Sequence, residues 1–298
     1  MMSYRFKGIF TPLTTPYEND HISPEKLKDN IEKYNDFDLS GYVVLGSTGE
    51  SIFLSDMESE EIVKTAKKAA ASDKPIIAGT AKESTQLTLK FTNMMADTGA
   101  DAALIRTPSY MKSLMDEKAL RTHFLTIADS SKIPIIIYHI PRSTGLTISS
   151  KLIAGLSEHP NIAGLKDSSG NMAFLGETIP QLHPNFDFLL GAASILLPGL
   201  IMEASGGIIT LSGIAPSQCL RLFSLYREKK WEEAVKLQLE LIPLNKAITE
   251  TYGIPATKYA LDLLGYHGGP CRPPLRSLGQ TGKQDIEAIL QKLNLIYS

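Results

Sequence analysis

The clearest pattern in the sequence is a short apolar, β-branched run that ends in turn residues and recurs eight times. Most gaps between the runs hold apolar positions at the spacing of an amphipathic helix, for example over residues 56–71 and 116–131. Each unit therefore predicts a strand followed by a helix. The eight runs begin at Gly8, Tyr42, Lys74, Ala102, Ile133, Ile162, Asp187 and Gly206.

Eight such units favour one α/β fold in particular. Near-continuous apolar strands are typical of a parallel sheet covered on both faces, and eight right-handed βα units are the number that closes into a (β/α)8 TIM barrel. The structural alternative is an open doubly wound sheet, which usually has a glycine-rich nucleotide-binding turn after its first strand. The sequence has TPLTTPYEND at that place, so the barrel is favoured.

The pattern changes after Ser217, where helices are predicted without intervening strands. We expect the barrel to span residues 1–215 and a C-terminal helical extension to span 216–298. Only Ala215 and Pro216 separate the two, with no Ser/Gly-rich linker, so the extension is expected to pack on the barrel. The predicted helices cover residues 217–229, 231–251, 255–264 and 282–293.

Composition narrows the possible partners. The 298 residues include 30 Lys and Arg against 32 Asp and Glu, a net charge of -2, which argues against a nucleic-acid or anionic-membrane partner. With 43% hydrophobic and 21% charged residues, the mix is that of an ordinary globular protein. The two cysteines are isolated, and no apolar run near the N-terminus is long enough for a signal peptide or membrane span. We therefore expect a cytoplasmic protein.

In a TIM barrel the active site lies at the C-terminal ends of the strands, and the sixth predicted strand ends in a lysine. With a period of two, Lys166 shares a face with Ile162 and Gly164. If that face is inward, the missing side chain at Gly164 leaves room beneath the lysine. Apolar neighbours would keep water from its ammonium group and favour a neutral amine that can attack a carbonyl. The alternative is a solvated lysine at the rim.

The fifth predicted strand ends in a tyrosine, Tyr138, which precedes Lys166 by the length of one βα unit. Adjacent strands would bring the two side chains together. A phenol beside such an amine can shuttle the protons that carbinolamine formation and dehydration require. The alternative is a tyrosine packed at the rim with its hydroxyl in water.

The second predicted strand ends in GSTGE at 46–50, before a segment with helix-forming character. The hydroxyls of Ser47 and Thr48, with backbone N–H groups at a helix start, would make a good carboxylate cradle. The alternative is an ordinary helix N-cap with Glu50 supporting the turn.

Motifs for metal or nucleotide chemistry are missing from the sequence. The six histidines are isolated, and no HxH, HExxH, paired-carboxylate, GxSxG or Walker pattern occurs. We expect neither a metal nor an organic cofactor. His139 follows Tyr138 directly, so its side chain should point to the opposite face and serve a structural role.

Several strings together carry a resemblance to a known family. The chain resembles the dihydrodipicolinate synthase and N-acetylneuraminate lyase family through GSTGE at 46–50, TPSY at 107–110, YHIP at 138–141, KDSSG at 166–170 and the tail YGIPATKYALDLLGYHGGPCRPPL at 252–275. The resemblance covers nearly the whole chain. It implies a class I (β/α)8 barrel in which Lys166 forms a Schiff base with pyruvate or another 2-oxo acid.

The resemblance also implies roles for residues around the lysine. The family's strand-end tyrosine matches Tyr138, and its carboxylate grip matches Ser47 and Thr48. A proton relay would join Ser47, Tyr138 and Tyr110, the last of which enters the neighbouring subunit's site in family tetramers. We therefore expect a homotetramer, a dimer of dimers. Backbone contacts beside the substrate map onto two further positions, Gly191 and Ile209.

One departure from the family pattern bears on the substrate. True dihydrodipicolinate synthases have an arginine five residues after the relay tyrosine, where this chain has Ser143, and Arg142 lies one residue early. YHIPRSTGL and the tail instead look similar to the 4-hydroxy-2-oxoglutarate aldolase branch, so we expect retro-aldol cleavage to pyruvate and an aldehyde. The alternatives are condensation of pyruvate with aspartate semialdehyde, aldol or dehydratase chemistry on 2-keto-3-deoxy sugar acids, and a non-catalytic 2-oxo acid sensor barrel.

Overall fold

The computed structural model describes residues 6–297, and its centre is a closed barrel of eight parallel strands. In chain order the strands are β1 (Gly8–Pro12), β2 (Tyr17–Glu18), β3 (His21–Ile22), β4 (Gly41–Val44), β5 (Ile76–Gly79), β6 (Ala102–Arg106), β7 (Ile135–His139), β8 (Ile162–Asp167), β9 (Asp187–Leu190) and β10 (Gly206–Ile208). The barrel order is β1-β10-β9-β8-β7-β6-β5-β4, with β4 pairing back to β1. All eight predicted strands are confirmed. The pair β2 and β3 forms a small antiparallel hairpin outside the barrel.

Helices surround the barrel and extend beyond its last strand. They are α1 (Pro24–Tyr34), α2 (Asp56–Ala69), α3 (Thr85–Thr98), α4 (Glu117–Ser130), α5 (Pro141–Thr144), α6 (Ser150–Ser157), α7 (Met172–Thr178), α8 (Leu196–Ile201), α9 (Leu211–Ile214), α10 (Pro216–Arg227), α11 (Trp231–Lys246), α12 (Ile254–Leu263) and α13 (Gln280–Lys292). A π-helical segment, Ala247–Thr251, continues α11. Among residues 6–297, no helix combines the length and apolar character needed to cross a membrane.

Two separate apolar layers stabilise the barrel, because successive residues of a strand point to opposite faces. The outer layer lies between strands and helices and is the larger. The inner layer fills the barrel with one or two side chains from each of the eight barrel strands, including Phe10, Val43, Ile77, Leu104, Ile136, Leu189 and Ile208. The barrel is therefore packed from inside, and a polar group can face its axis only near the strand ends.

The face predicted for the sixth barrel strand, β8, is wrong in its first half. The pairing of β7 with β8 shifts between Ile135 and Ile136, so Ile162 packs in the outer layer while Ala163 joins the inner one. Such a bulge resets the alternation of side chains. Gly164 does not make room for the lysine either, since a Cβ there would lie 2.4 Å from the Asp187 carbonyl oxygen. The glycine allows β9 to approach.

Helices that follow the last barrel strand contact the barrel. The buried amide of Gln238 in α11 accepts a hydrogen bond from Leu197 N–H at 2.9 Å and donates one to the Ala193 carbonyl at 3.0 Å. α12 contacts α9 beside the barrel. α10 follows the last strand and contacts β1 and α8. The division at residues 215 and 216 remains a prediction.

Candidate active site

Lys166 and Tyr138 lie side by side at the C-terminal ends of β8 and β7. Their backbones are paired in register, and the Lys166 Nζ atom is 4.3 Å from the centroid of the Tyr138 ring. Only 5% of Lys166 and 7% of Tyr138 is exposed. A buried amine against a buried phenol does not fit the alternative of a solvated lysine at the rim.

The surroundings of this pair are apolar on the barrel side. Tyr138 belongs to the inner layer together with Ile136 and Ala163, and Leu189 of β9 is in register with Lys166. The amine therefore lies above apolar side chains. Such surroundings strengthen its interactions with nearby dipoles.

The GSTGE turn at residues 46–50 follows β4 at the same end of the barrel. Ser47 is exposed, and the Thr48 hydroxyl lies 3.1 Å from the hydroxyl of Thr210, which follows β10. The N–H groups of Gly49 and Glu50 donate to carbonyls within the turn at 3.1 Å. None of the hydrogen bonds of the described chain uses the N–H of Ser47 or Thr48. These two residues can therefore offer hydroxyl and amide donors to a carboxylate.

The turn is not the start of a helix, and that part of the prediction is wrong. α2 begins at Asp56 with Ser55 as its N-cap, where Ser55 and Glu58 form a capping box. Between the turn and α2 lies only the short 3₁₀ turn Ser51–Phe53. A helix dipole therefore contributes nothing at residues 46–50, and a bound anion would depend on the local donors.

Glu50 ties the GSTGE turn to the C-terminal extension, a connection that sequence reasoning missed. Its buried carboxylate pairs with Lys258 of α12 at 2.6 Å and accepts the N–H of Arg272 at 2.9 Å. Burial lowers the pKa of Lys258 below its ordinary value, and the Glu50 carboxylate opposes that shift. The available indication in the sequence was Lys258 itself, because this lysine lies one helical turn from Leu261 on a buried face of α12.

Arg272 connects the same region to α2. Its guanidinium binds the Glu58 carboxylate with two bonds, at 2.6 and 3.1 Å, and these bonds lower the pKa of Glu58 to about 2. The Tyr17 ring lies 4.4 Å from the Lys258 ammonium and 4.6 Å from the Arg272 guanidinium. The cations thus contact both carboxylates and an aromatic ring, which holds the turn in a fixed position.

Replacing Lys258 by methionine should lower the free energy of unfolding by about 3 to 5 kcal/mol, because the charge of Glu50 stays buried without its partner. Urea unfolding at neutral pH measures the change. The double variant Glu50→Gln/Lys258→Met should recover part of the loss. Lys132→Met, which breaks the exposed pair with Asp97, is the control and should cost less than about 1 kcal/mol. Equal costs for the two lysines would contradict this assignment.

Tyr110 projects from the protein rather than into the site of its own chain. It is 81% exposed, in the loop after β6. The Glu83 carboxylate accepts the N–H groups of Ser109 and Tyr110 and pairs with Arg106. Although burial opposes the charge, these bonds lower the pKa of Glu83 to about 2. Within the described chain no hydrogen bond joins the hydroxyls of Ser47, Tyr110 and Tyr138, so the relay remains a prediction.

The two residues predicted to contact the substrate through their backbone, Gly191 and Ile209, differ in the hydrogen bonds that their backbone groups already make. Gly191 lies directly after β9, and its N–H donates to the Asp167 carbonyl at 2.6 Å. A Cβ at this position would lie 1.9 Å from the Ser168 hydroxyl, so a larger residue would require Ser168 to move. Ile209 is buried in the outer layer, and its N–H and carbonyl are already bonded to Phe10 and Ser212. Both contacts remain predictions.

Arg142 and Ser143 lie in the short helix α5, beyond Tyr138. The guanidinium of Arg142 donates to the carbonyls of Thr249 and Glu250, both at 3.4 Å, in the π-helical segment. Ser143 is exposed. The arginine is therefore directed towards the C-terminal extension, and the position after it offers no guanidinium.

A closed parallel barrel with a buried lysine beside a tyrosine at its C-terminal strand ends is the architecture of class I aldolases. A sequence profile described as the Dihydrodipicolinate synthetase family matches residues 5–293. The 4-hydroxy-tetrahydrodipicolinate synthase of Methanothrix thermoacetophila is 33% identical over 97% of each chain. The chain therefore belongs to the Dihydrodipicolinate synthetase family, whose members are Schiff-base carbon–carbon lyases.

Solved structures agree with this assignment. The dihydrodipicolinate synthase of Aquifex aeolicus has a TM-score of 0.92 and 32% identity, covering 98% of this chain and 100% of its own. The chloride-inhibited synthase of Acinetobacter baumannii, solved with pyruvate, has a TM-score of 0.91 and 27% identity, covering 97% and 99%. The expected likeness to the 4-hydroxy-2-oxoglutarate aldolase branch finds no support, because these relatives are synthases.

Proposed function

We propose that this chain condenses pyruvate with aspartate semialdehyde through a Schiff base on Lys166, as a 4-hydroxy-tetrahydrodipicolinate synthase. The observation that carries the proposal is the contact between the Lys166 amine and the Tyr138 ring, 4.3 Å apart at the mouth of the barrel. The names of the related proteins support the choice of pyruvate and of the synthetic direction.

The proposed reaction begins when the neutral amine of Lys166 adds to the C2 ketone of pyruvate. Loss of water from the carbinolamine gives a protonated imine, which withdraws electrons so that a C3 proton can leave and form an enamine. The enamine carbon attacks the aldehyde, and the resulting alkoxide takes up a proton. The amino group of the aspartate semialdehyde part then attacks the imine carbon, which closes the ring and releases the Lys166 amine. Tyr138 would donate and accept the protons of these steps, while Ser47 and Thr48 hold the carboxylate of pyruvate.

A second candidate is retro-aldol cleavage of 4-hydroxy-2-oxoglutarate to pyruvate and an aldehyde. One observation counts against aspartate semialdehyde as the aldehyde. Ser143 supplies no guanidinium for the carboxylate of aspartate semialdehyde, and Arg142 is bonded to the carbonyls of Thr249 and Glu250. The same lysine and tyrosine would serve both reactions, because the enamine of pyruvate is common to them.

A substrate panel tests the proposal. Pyruvate consumption with aspartate semialdehyde should give the highest kcat/KM. Pyruvate release from 4-hydroxy-2-oxoglutarate and from 2-keto-3-deoxygluconate, coupled to lactate dehydrogenase, should be slower. Faster release from 4-hydroxy-2-oxoglutarate would favour the second candidate. Saturable pyruvate binding without turnover on any of the three would indicate a sensor barrel instead.

The proposed enzyme is a cytoplasmic homotetramer. The exposure of Tyr110 supports this expectation, because its ring has room to enter a second copy of the chain. Sedimentation velocity of the wild-type chain tests the tetramer. The activity of Tyr110→Ala tests whether the Tyr110 ring serves the site of a second copy. A fully active monomer would contradict the expectation.

A further inference from the structure

A second cross-strand pair lies one residue beyond the proposed catalytic pair. β7 and β8 bring Tyr138 opposite Lys166 and then His139 opposite Asp167. Because successive residues of a strand face opposite sides, the second pair points away from the barrel axis. The His139 Nδ1 atom is 2.7 Å from Asp167 Oδ1, and the two side chains are 2% and 0% exposed.

Hydrogen bonding around this pair indicates the tautomer of the His139 ring and restricts the movement of both side chains. The N–H of Ile148 donates to His139 Nε2 at 3.3 Å, so Nδ1 carries the proton that is donated to Asp167. Asp167 also accepts the N–H of Ser169 at 3.1 Å and its hydroxyl at 2.8 Å. The ring of Phe174 packs against His139, with centroids 4.9 Å apart. A buried polar network whose hydrogen bonds are satisfied in this way is rigid.

The backbones of the two residues connect three neighbouring strand ends. The Ser168 N–H donates to the His139 carbonyl at 2.8 Å, across β7 and β8. The Gly191 N–H donates to the Asp167 carbonyl at 2.6 Å, from the end of β9. Tyr138 directly precedes His139 in the chain, and Lys166 directly precedes Asp167. Gly191 is hydrogen-bonded to the backbone of Asp167.

We propose that His139 and Asp167 are positioning residues, which hold the Lys166 amine against Tyr138 from the outer face of the sheet. The inference rests on the proposed function, because it assigns the pair to the reaction of Lys166. Neither side chain faces the inner layer, so both would act by orienting the ends of β7 and β8, which carry Tyr138 and Lys166. A misplacement of about 1 Å in the reacting groups can lower a rate by about 100-fold, so the orientation of the strand ends matters for the chemistry.

The test compares His139→Leu with His139→Asn. Leucine removes the donor to Asp167, and kcat should fall by about 10 to 100-fold. The rate at which borohydride traps pyruvate on Lys166 should fall with it, while KM for pyruvate changes little. Asparagine keeps an N–H donor on a shorter side chain and should restore most of the activity. A purely structural role would instead lower the unfolding midpoint and leave kcat of the folded fraction unchanged.

Two further variants complete the design. Asp167→Asn removes the charge that receives these bonds and should show the same loss of kcat. Asp187→Asn is the matched control, a buried carboxylate at the opposite end of β9 that accepts bonds from Phe6 N–H and the Ser205 hydroxyl, and its kcat should stay unchanged. If His139→Leu does not fold, the contrast between an active His139→Asn and an impaired Asp167→Asn decides.

The outcomes separate this inference from the proposed function. Folded His139→Leu with kcat within about twofold of wild type would overturn the inference, as would equal losses in His139→Leu, His139→Asn and the Asp187→Asn control. Wild-type protein that turns over no 2-oxo acid and traps no pyruvate would instead overturn the proposed function.

Discussion

Replacing Lys166 by arginine should abolish turnover on every 2-oxo acid while the chain stays folded. Arginine stays charged and cannot form the imine, so the reaction loses its covalent intermediate. We expect kcat to fall by about 10⁴-fold or more, as for loss of the nucleophile in other covalent enzymes. Steady-state assays with the best substrate of the panel measure it, and the unfolding midpoint reports the fold.

Two further variants serve as controls for that result. Lys166→Met removes the amine without adding a buried charge and should be equally inactive. Lys151→Arg, on the exposed face of α6, should keep full activity. Activity above a few per cent of wild type in a folded Lys166 variant would count against the lysine as the nucleophile.

Replacing Tyr138 by phenylalanine should lower kcat by about 10² to 10⁴-fold, the usual contribution of a positioned proton donor. The ring that packs against the Lys166 amine stays in place, and only the hydroxyl is lost. We therefore expect the KM for pyruvate to change far less than kcat.

The control for this variant is Tyr226→Phe in α10. Tyr226 lines a cavity with Gly8 and Ser205 at the N-terminal ends of the strands, opposite the site, so kcat should stay within experimental error. A Tyr138→Phe enzyme with nearly wild-type kcat would show that another group moves the protons. The relay with Ser47 and Tyr110 would then lose its central member.

The barrel was predictable because its strands are buried on both faces. A strand between a packed interior and a layer of helices needs apolar residues at nearly every position, and eight such runs are visible without any other information. The hairpin of β2 and β3 was not predictable, since two-residue strands leave no periodic signal. The bulge in β8 was missed for a related reason. A single inserted residue changes the face of its neighbours but not the composition of the run.

The candidate site was predictable where it follows from spacing along the chain. Lys166 and Tyr138 end consecutive strands, so their proximity follows once the barrel is accepted. The contacts of Glu50 with Lys258 and Arg272 depend on how the C-terminal extension folds back over the barrel, which no local pattern specifies. The hydrogen bond between His139 and Asp167 could have been predicted from the sequence, because both residues directly follow the proposed catalytic pair.

The most direct test of the account is borohydride reduction of the wild-type protein in the presence of pyruvate, followed by mass spectrometry of its peptides. The account predicts a pyruvyl adduct on the peptide that contains Lys166. Lys258 is an internal control, because it is buried with a lowered pKa but is paired with Glu50, and it should stay unmodified. An unmodified Lys166, or an adduct on Lys258 instead, would contradict the account.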